Sequence, residues 1–373
     1  MKAWPLLGVL FIQAFFCAAH WFIYRTIIDF WWPLDVSAAN GLRWTLAILS
    51  FTFVPAALLS FRFCNWLVAF VYRSASVWVG FANFVFFGAW LAWIIDLILR
   101  LAVSHAIRLQ ARPFVAAAIF AASFVTGLYG LFNARWIRLR RVPVRLPNLP
   151  ASWRGRTALL MTDLHLGNIN GAGFARRMAE RARRLAPDII FLSGDLFDGA
   201  HCDPGQLAAP LFQLAPPLGI LFVSGNHEEF GGSRHYSEAV SRGGFKVLEN
   251  ESVEVDRLRV IGVSYHDSNR PVQLRNFLMG LNLDGSAPSI LLQHVPNRLP
   301  IADEAGVSLQ LCGHTHGGQI IPFTWITNRA FGKFTYGLQR FGNLQVYTSS
   351  GAGTWGPPMR VGSAPEIVLL TFE

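Results

Sequence analysis

Near its C-terminus the chain reads "CGHTHGGQI" (312–320), with His314 and His316 one residue apart among glycines. Imidazole is the commonest metal-ligating side chain, yet most histidines bind nothing, so the pair needs company. "TALLMTDLHLGN" is an apolar run ending in Asp163 and His165. "PDIIFLSGDLFDG" ends in Asp195 and Asp198, "GILFVSGNHEEF" in Asn226 and His227, and "SILLQHVPN" in His294. With "SLQLCGHTHGGQ" there are five runs of strand length, each closing in residues that ligate metals or move protons. Asp163, Asp195, Asn226, His165, His294, His314 and His316 supply oxygen and nitrogen donors and no thiolate. That mix suits Mn²⁺, Fe or Zn²⁺ rather than Ca²⁺ or a structural zinc. It exceeds what one tetrahedral ion needs and fits two ions sharing a bridging carboxylate.

Other residues compete for these roles. His266 in "SYHDSN" also follows an apolar run and rivals His294, and Asp267 stands beside it. His201 reads as a surface histidine or a substrate contact, Cys202 as a loop cysteine, and Cys312 as a core residue beside the ligand turn. Glu228 and Glu229 read as supporting or surface residues rather than ligands. Trp355 and Met359 in "TWGPPMR" could contact an apolar part of a substrate or simply pack. "RRMAERARRLAPD" (176–188) carries five arginines and reads as a solvated helix face or one docked on anionic headgroups. Four cysteines without CxxC spacing give neither a disulfide framework nor a zinc ribbon.

The elements that position these residues lie beyond Pro150, where strand-length runs alternate with helix-like stretches. In such sheets, sites gather outside the carboxyl ends of strands. The preceding part is different in kind. A helix needs about 20 apolar residues to cross a hydrocarbon core of roughly 30 Å. Four stretches approach this: Trp4–Tyr24, Trp44–Phe61, Val77–Leu99 and Phe114–Phe132. "NWLVAFVY" (65–72) is too short to span and either lies in the interface or extends the third helix. The domains expected are therefore a membrane part at 1–132, a basic, proline-rich linker at 133–150, and an α/β domain at 151–373. Three prolines in "RVPVRLPNLP" make that linker extended.

Charge divides along the same line. Residues 1–150 carry 13 Lys and Arg against 3 Asp, which leaves 19 basic and 19 acidic residues for 151–373. The basic excess thus belongs to the membrane part, and a nucleic-acid partner is not expected. With four spans, Lys2, Arg62, Arg73, Arg135, Arg138, Arg140, Arg141 and Arg145 share one side. Arg25, Arg43, Arg100, Arg108 and Arg112 take the other. The positive-inside rule then turns the α/β domain toward the cytoplasm. Asp96 is expected to form an interfacial pair with Arg100 at i+4, and no transport path is visible.

The blocks "DLH", "GDLFD", "GNHE", "QH" and "GHTHGGQ" resemble the calcineurin-like metallophosphoesterase superfamily, whose pattern is D-x-H, G-D-x-x-D, G-N-H-[DE], H and G-H-x-H. "GTWGPPMR…PEIVLL" and "GGQI" are similar to the membrane-attached bacterial branch, including transmembrane proteins with a metallophosphoesterase domain. The resemblance implies two mixed β-sheets packed face to face with helices outside. It implies Asp163, His165 and His316 at a first metal, Asn226, His294 and His314 at a second, and Asp195 bridging them. A metal-bridging hydroxide would attack phosphorus, His227 would protonate the leaving group, and Asp198 would orient His227. Two divalent or mixed-valence ions (Mn, Fe or Zn) are implied as cofactors.

The function expected is a membrane-anchored phosphoesterase acting on a phosphodiester or pyrophosphate of a lipid-linked substrate in a bacterial inner membrane. UDP-2,3-diacylglucosamine pyrophosphatases offer an analogy within the superfamily, and release of a phospholipid head group is the nearby alternative. A non-catalytic binding protein on the same scaffold would be expected to have lost ligands. A nuclease would be expected to carry excess positive charge on the α/β domain.

Overall fold

The computed structural model describes residues 4–31, 34–283 and 285–373. Lys2, counted above for topology, lies outside them. Contacts divide the chain into a helical unit, up to Phe132 with Gly356–Met359, and a second unit comprising Asn133–Trp355 and Arg360–Glu373.

The helical unit holds α1 (Trp4–Phe30), α2 (Val36–Ser50), α3 (Phe53–Arg62), α4 (Trp66–Ala102) and most of α5 (His105–Arg135). Among the described residues, four stretches are long and apolar enough to cross a membrane: Leu7–Phe30, Val36–Arg62, Trp66–Ala102 and His105–Arg135. Each contains the core of an expected span and extends it. The second is interrupted at Phe51–Thr52, and Pro55 sits in the first turn of α3, where a missing N–H is harmless. "NWLVAFVY" enters α4, one of the two outcomes its length allowed. The buried face of α4 includes Ala75, Ser76, Gly80, Ala82, Gly88, Ala89 and Ala92. Small residues let helix backbones approach closely where lipid offers no hydrophobic drive.

Asp96 departs from the expected i+4 pair. It is buried and takes a bidentate pair from Arg112 at 2.8 Å through Nε and Nη2. Arg108 stands 3.6 Å away. A buried carboxylate is held by the partner with the better fork geometry, here one 16 residues distant.

The second unit contains two six-stranded sheets. The first has the order β1-β12-β2-β3-β4-β5: β1 (Arg138–Val144), β2 (Thr157–Met161), β3 (Ile189–Ser193), β4 (Ile220–Val223), β5 (Lys246–Val247) and β12 (Glu366–Phe372). The second runs β10-β11-β9-β8-β7-β6: β6 (Glu251–Val255), β7 (Leu258–Gly262), β8 (Ser289–Leu292), β9 (Leu309–Cys312), β10 (Gly337–Phe341) and β11 (Leu344–Thr348). Both are mixed, as expected. β2, β3 and β4 are parallel neighbours in one sheet, β8 and β9 in the other. These are the five apolar runs of the sequence. Their continuous apolar character follows from burial on both faces.

One core lies where the sheets face each other, with Leu160, Phe191 and Val223 meeting Val260, Ile290 and Leu311. A second packs α6 (Ala172–Leu185), α7 (Pro204–Ala208) and α9 (Ser233–Arg242) on the first sheet. A third packs α11 (Pro271–Gly280) and α12 (Leu299–Glu304) on the other. The short helices α8 (Asn226–Gly231) and α10 (Tyr265–Ser268) follow β4 and β7, and α13 (Phe323–Phe331) follows the loop of His314 and His316. The arginine-rich stretch is α6. It buries Phe174, Ala175, Met178, Ala179 and Ala182, while Arg181 donates to the Ile137 carbonyl at 2.8 Å. The proline-rich stretch after α5 contains β1, which pairs in parallel with β12 from Arg138↔Glu366 to Val144↔Phe372.

Candidate metal centre

All five apolar strands deliver their terminal residues to one place. Asp163 and His165 follow β2, Asp195 and Asp198 follow β3, and Asn226 and His227 open α8 after β4. His294 follows β8, and His314 and His316 follow β9. Parallel neighbours end at the same edge of a sheet, and two sheets packed face to face bring two such edges together.

The backbone at this edge is unusual. Asp163, His165, Asp195, His314 and His316 have φ of 53°, 49°, 52°, 69° and 50°. Non-glycine residues seldom occupy the left-handed region, and such residues gather at functional sites. Glycine is required beside them for a different reason. A side chain at Gly313 would collide with the Asp163 carboxylate, and one at Gly225 with the backbone and carboxylate of Asp195.

The side chains form two groups that share an edge. In the first, His316 Nε2 is 3.4 Å from Asp163 Oδ1 and 3.0 Å from His165 Nε2. In the second, His294 Nε2 is 3.1 Å from Asp195 Oδ2, and His314 Nδ1 is 2.9 Å from Asn226 Oδ1. Asp195 is 3.8 Å from His165 and 4.0 Å separates His294 Nε2 from Asp163. Ligand atoms of Asp163, His165 and His316 lie within 4.8 Å of one another, as do those of Asp195, His294 and His314; His165, Asp195 and His227 make a third such set.

These residues fit divalent cations on an observation of their own. His165 Nδ1 and His294 Nε2 are buried without a hydrogen-bond partner among the described residues. Imidazole nitrogens and carboxylate oxygens are packed here closer than they can all satisfy one another, which is what ligands do in a centre built around cations.

Electrostatics divides the histidines. Burial works against protonation of His294, but the adjacent Asp195 carboxylate outweighs it and pushes the imidazole up to about 10. His314 is pushed down to about 4 by burial and by His294, and His316 well down by burial and the Arg360 guanidinium. His227 is lowered by burial and by His165, against the pull of Asp195 and Asp198. Its Nδ1 lies 3.6 Å from Asp198 Oδ1 and 3.2 Å from the Asp198 carbonyl. Its ring stands 6.3 Å from that of Trp355, which is 56% exposed.

The rivals fall elsewhere. His266 is half-exposed and pairs with Glu229 at 3.5 Å, outside the cluster. His201 is exposed and Cys312 fully buried. Cys202 is buried and disulfide-bonded, a correction to its reading as a plain loop cysteine. Met359 groups with the helical unit.

Two residues do more than their motifs announced. Glu228 is fully buried and accepts the backbone N–H groups of Asp195 (2.9 Å), Gly225 (2.7 Å) and Phe197 (2.8 Å), tying the β3 loop to the β4 loop. Burial and Asp195 push its carboxyl up to about 7.

Arg360, 0% exposed, has no carboxylate within ion-pair distance among the described residues. It donates to the His316 carbonyl (2.6 Å), to His316 Nδ1 (3.0 Å), and to the carbonyls of Ser350 and Gly353 (2.7 Å each). A guanidinium behind the imidazole disfavours its protonated form and fixes its ring, as outer partners of ligating histidines do. Arg360→Lys keeps the charge but loses the fork. It is expected to weaken metal binding about 10–100-fold, read by titration against a chromophoric chelator. Affinity equal to the parent's would remove Arg360 from this role.

The sequence model of the calcineurin-like phosphoesterase family matches residues 157–318. An uncharacterised metallophosphoesterase of Aquifex aeolicus is 32% identical over 66% of this chain and 96% of its own length. A transmembrane protein with metallophosphoesterase domain from Danio rerio is 30% identical over 67% of this chain. An uncharacterised metallophosphoesterase of Campylobacter jejuni is 30% identical over 63% of this chain. The chain spans 60% of the Danio rerio relative's length and 63% of the Campylobacter jejuni relative's. With ligand-type residues at the ends of five strands in two facing sheets, and a relative matched over nearly its whole length, this chain belongs to the calcineurin-like phosphoesterase family.

Proposed function

We propose that this chain is a membrane-anchored, two-metal phosphoesterase that hydrolyses a phosphodiester or pyrophosphate of a lipid-linked or membrane-associated substrate. The observation that carries this reading is one chain holding both four membrane-length helices and two neighbouring groups of ligand-type residues, with Asp195 of one 3.8 Å from His165 of the other. Asp163, His165 and His316 would hold one ion, and Asn226, His294 and His314 the other, with Asp195 serving both. The donor set suits Mn²⁺, Fe or Zn²⁺. Bound there, such ions supply Lewis acidity toward a phosphoryl group and make water a nucleophile near neutral pH.

The chain's own residues do the rest. His227 holds the proton for the leaving oxygen, and Asp198 supports its protonated form. Glu228 keeps Asp195 and the start of α8 in register. Trp355 offers an exposed aromatic face beside His227 for an apolar part of the substrate. The distribution of Arg residues about the spans favours a cytoplasmic domain in a bacterial inner membrane.

Full-length protein in detergent, loaded in turn with Mn²⁺, Fe²⁺ and Zn²⁺, should hydrolyse at least one of a model diester, pyrophosphate or monoester. No turnover with any pairing would overturn the enzymatic reading. Incubation with a total lipid extract and mass spectrometry then identifies the species consumed.

Loading has its own signature. At pH 7 the imidazole of His294, held near 10 by Asp195, carries a proton that must leave before the nitrogen can ligate. Metal binding should therefore release protons and weaken as pH falls. Calorimetry in buffers of differing ionisation enthalpy reads the number, and a value of zero would show that His294 gives up no proton on loading.

A further inference from the structure

The face of α13 turned away from the domain core carries a cluster of exposed apolar side chains. Phe323 is 47% exposed, Trp325 72% and Ile326 62%, with Ile321 exposed just before them. Arg329 is exposed one turn after Trp325 and Ile326, and Lys333 is exposed just past the end of the helix. Trp beside aliphatic and basic residues on one helix face is the composition of an interfacial helix, and exposed apolar clusters of this kind mark interaction sites.

The opposite side of α13 is fixed to the metal-ligand loop. Gly318, two residues after His316, lies against the backbone of Thr324 and has no room for a side chain. At the far end of α13, the Phe331 ring stands 6.1 Å from the His314 ring. Thr315, between the two histidines, donates to the Thr335 carbonyl at 2.8 Å, and the Thr335 hydroxyl donates to the Thr327 carbonyl of α13 at 3.4 Å.

A second set of bonds runs to the end of the last candidate span. Asn133, in the final turns of α5, donates to the carbonyls of Arg360 and Ser363, both at 2.9 Å. That loop holds the start of α13: Ile321 N donates to the Val361 carbonyl at 3.0 Å, and Gly362 packs against Ile321 and Thr324. β1 begins at Arg138, three residues after α5 ends.

We infer that α13 lies in the headgroup region of the bilayer, with Phe323, Trp325 and Ile326 immersed and Arg329 and Lys333 on anionic headgroups. The occupant of this face is lipid because the chain's own last span ends one loop away. The helix thereby brings the His314–Gly318 loop to the depth at which lipid phosphates lie. The inference rests on α1–α5 spanning a bilayer and deepens the proposed choice of substrate. It makes no use of turnover, so it and the enzymatic reading can fail separately.

The test is a depth measurement on the full chain in liposomes of phosphatidylethanolamine and phosphatidylglycerol. A nitroxide is attached at Trp325→Cys and, in a separate protein, at Ile326→Cys, so that one misfolded variant does not decide the matter. Arg234→Cys on the exposed side of α9 is the aqueous reference, and the unsubstituted chain is the labelling blank. At 325 and 326, relaxation by oxygen should exceed relaxation by a water-soluble nickel chelate, with the order reversed at 234. Nickel accessibility at 325 and 326 equal to that at 234 would overturn the inference. Protection from both reagents would also overturn it, by assigning the face to a protein partner or a second copy.

Discussion

Asp195→Asn is expected to abolish turnover and to leave the protein short of metal. The Asp195 side chain stands between the two groups, with Oδ2 3.1 Å from His294 and 3.8 Å from His165, and Oδ1 accepting the His227 N–H at 2.9 Å. An amide keeps the shape and one acceptor oxygen, so the bond from His227 N can survive. What disappears is the negative charge that two cations would share. Metal-ion stabilisation of a phosphoryl transition state is worth several kcal/mol, and each 1.36 kcal/mol is tenfold. A loss of about 10³-fold or more follows. Elemental analysis should find fewer ions per chain than in the parent, while circular dichroism stays parental. A variant that holds two ions and turns over at the parental rate would exclude Asp195 from the bridging role.

His227→Ala should behave in the opposite way, losing rate and keeping metal. His227 is buried, touches Asp198 on one side and opens toward Trp355 on the other. Removing a general acid removes about 10²–10⁴-fold in rate. The loss should depend on the leaving group. An alkyl alkoxide needs the proton as its bond breaks, whereas a nitrophenolate leaves without it. The variant should therefore be crippled on alkyl diesters and much less impaired on nitrophenyl ones. Equal losses on both, or lost metal, would show that His227 positions or ligates instead. His165, Asp195 and His227 do approach one another closely enough to make that alternative a measurable one.

The five strand ends were readable in the sequence because each block is local. An apolar run and the polar residues that close it occupy about a dozen consecutive positions, and the order of blocks resembled a known family. What escaped lies in partnerships across long separations. Arg360 was visible only as a letter in "PPMR", since its partners Ser350 and His316 are brought to it by folding. Glu228 carries no sign that it binds three backbone N–H groups from two loops. The i+4 rule pointed Asp96 to Arg100, but Arg112 from the next helix holds the carboxylate through a bidentate fork. β1 was hidden by the proline within it. Pro143 leaves β1 without an N–H there, and an edge strand tolerates that because one side of it has no partner.

The left-handed backbone at Asp163, His165, Asp195, His314 and His316 constrains how this centre could drift over evolutionary time. At most positions of a protein a chain of tolerated substitutions leads away from the present residue. At these five, glycine would ease the backbone and delete the candidate ligand, while most other residues would strain the backbone and also delete it. Asparagine sits comfortably with positive φ, which makes it the substitution most able to persist in a folded chain. Descendants that have lost catalysis should thus carry Asn at these sites more often than chance, leaving a readable scar where the centre once was.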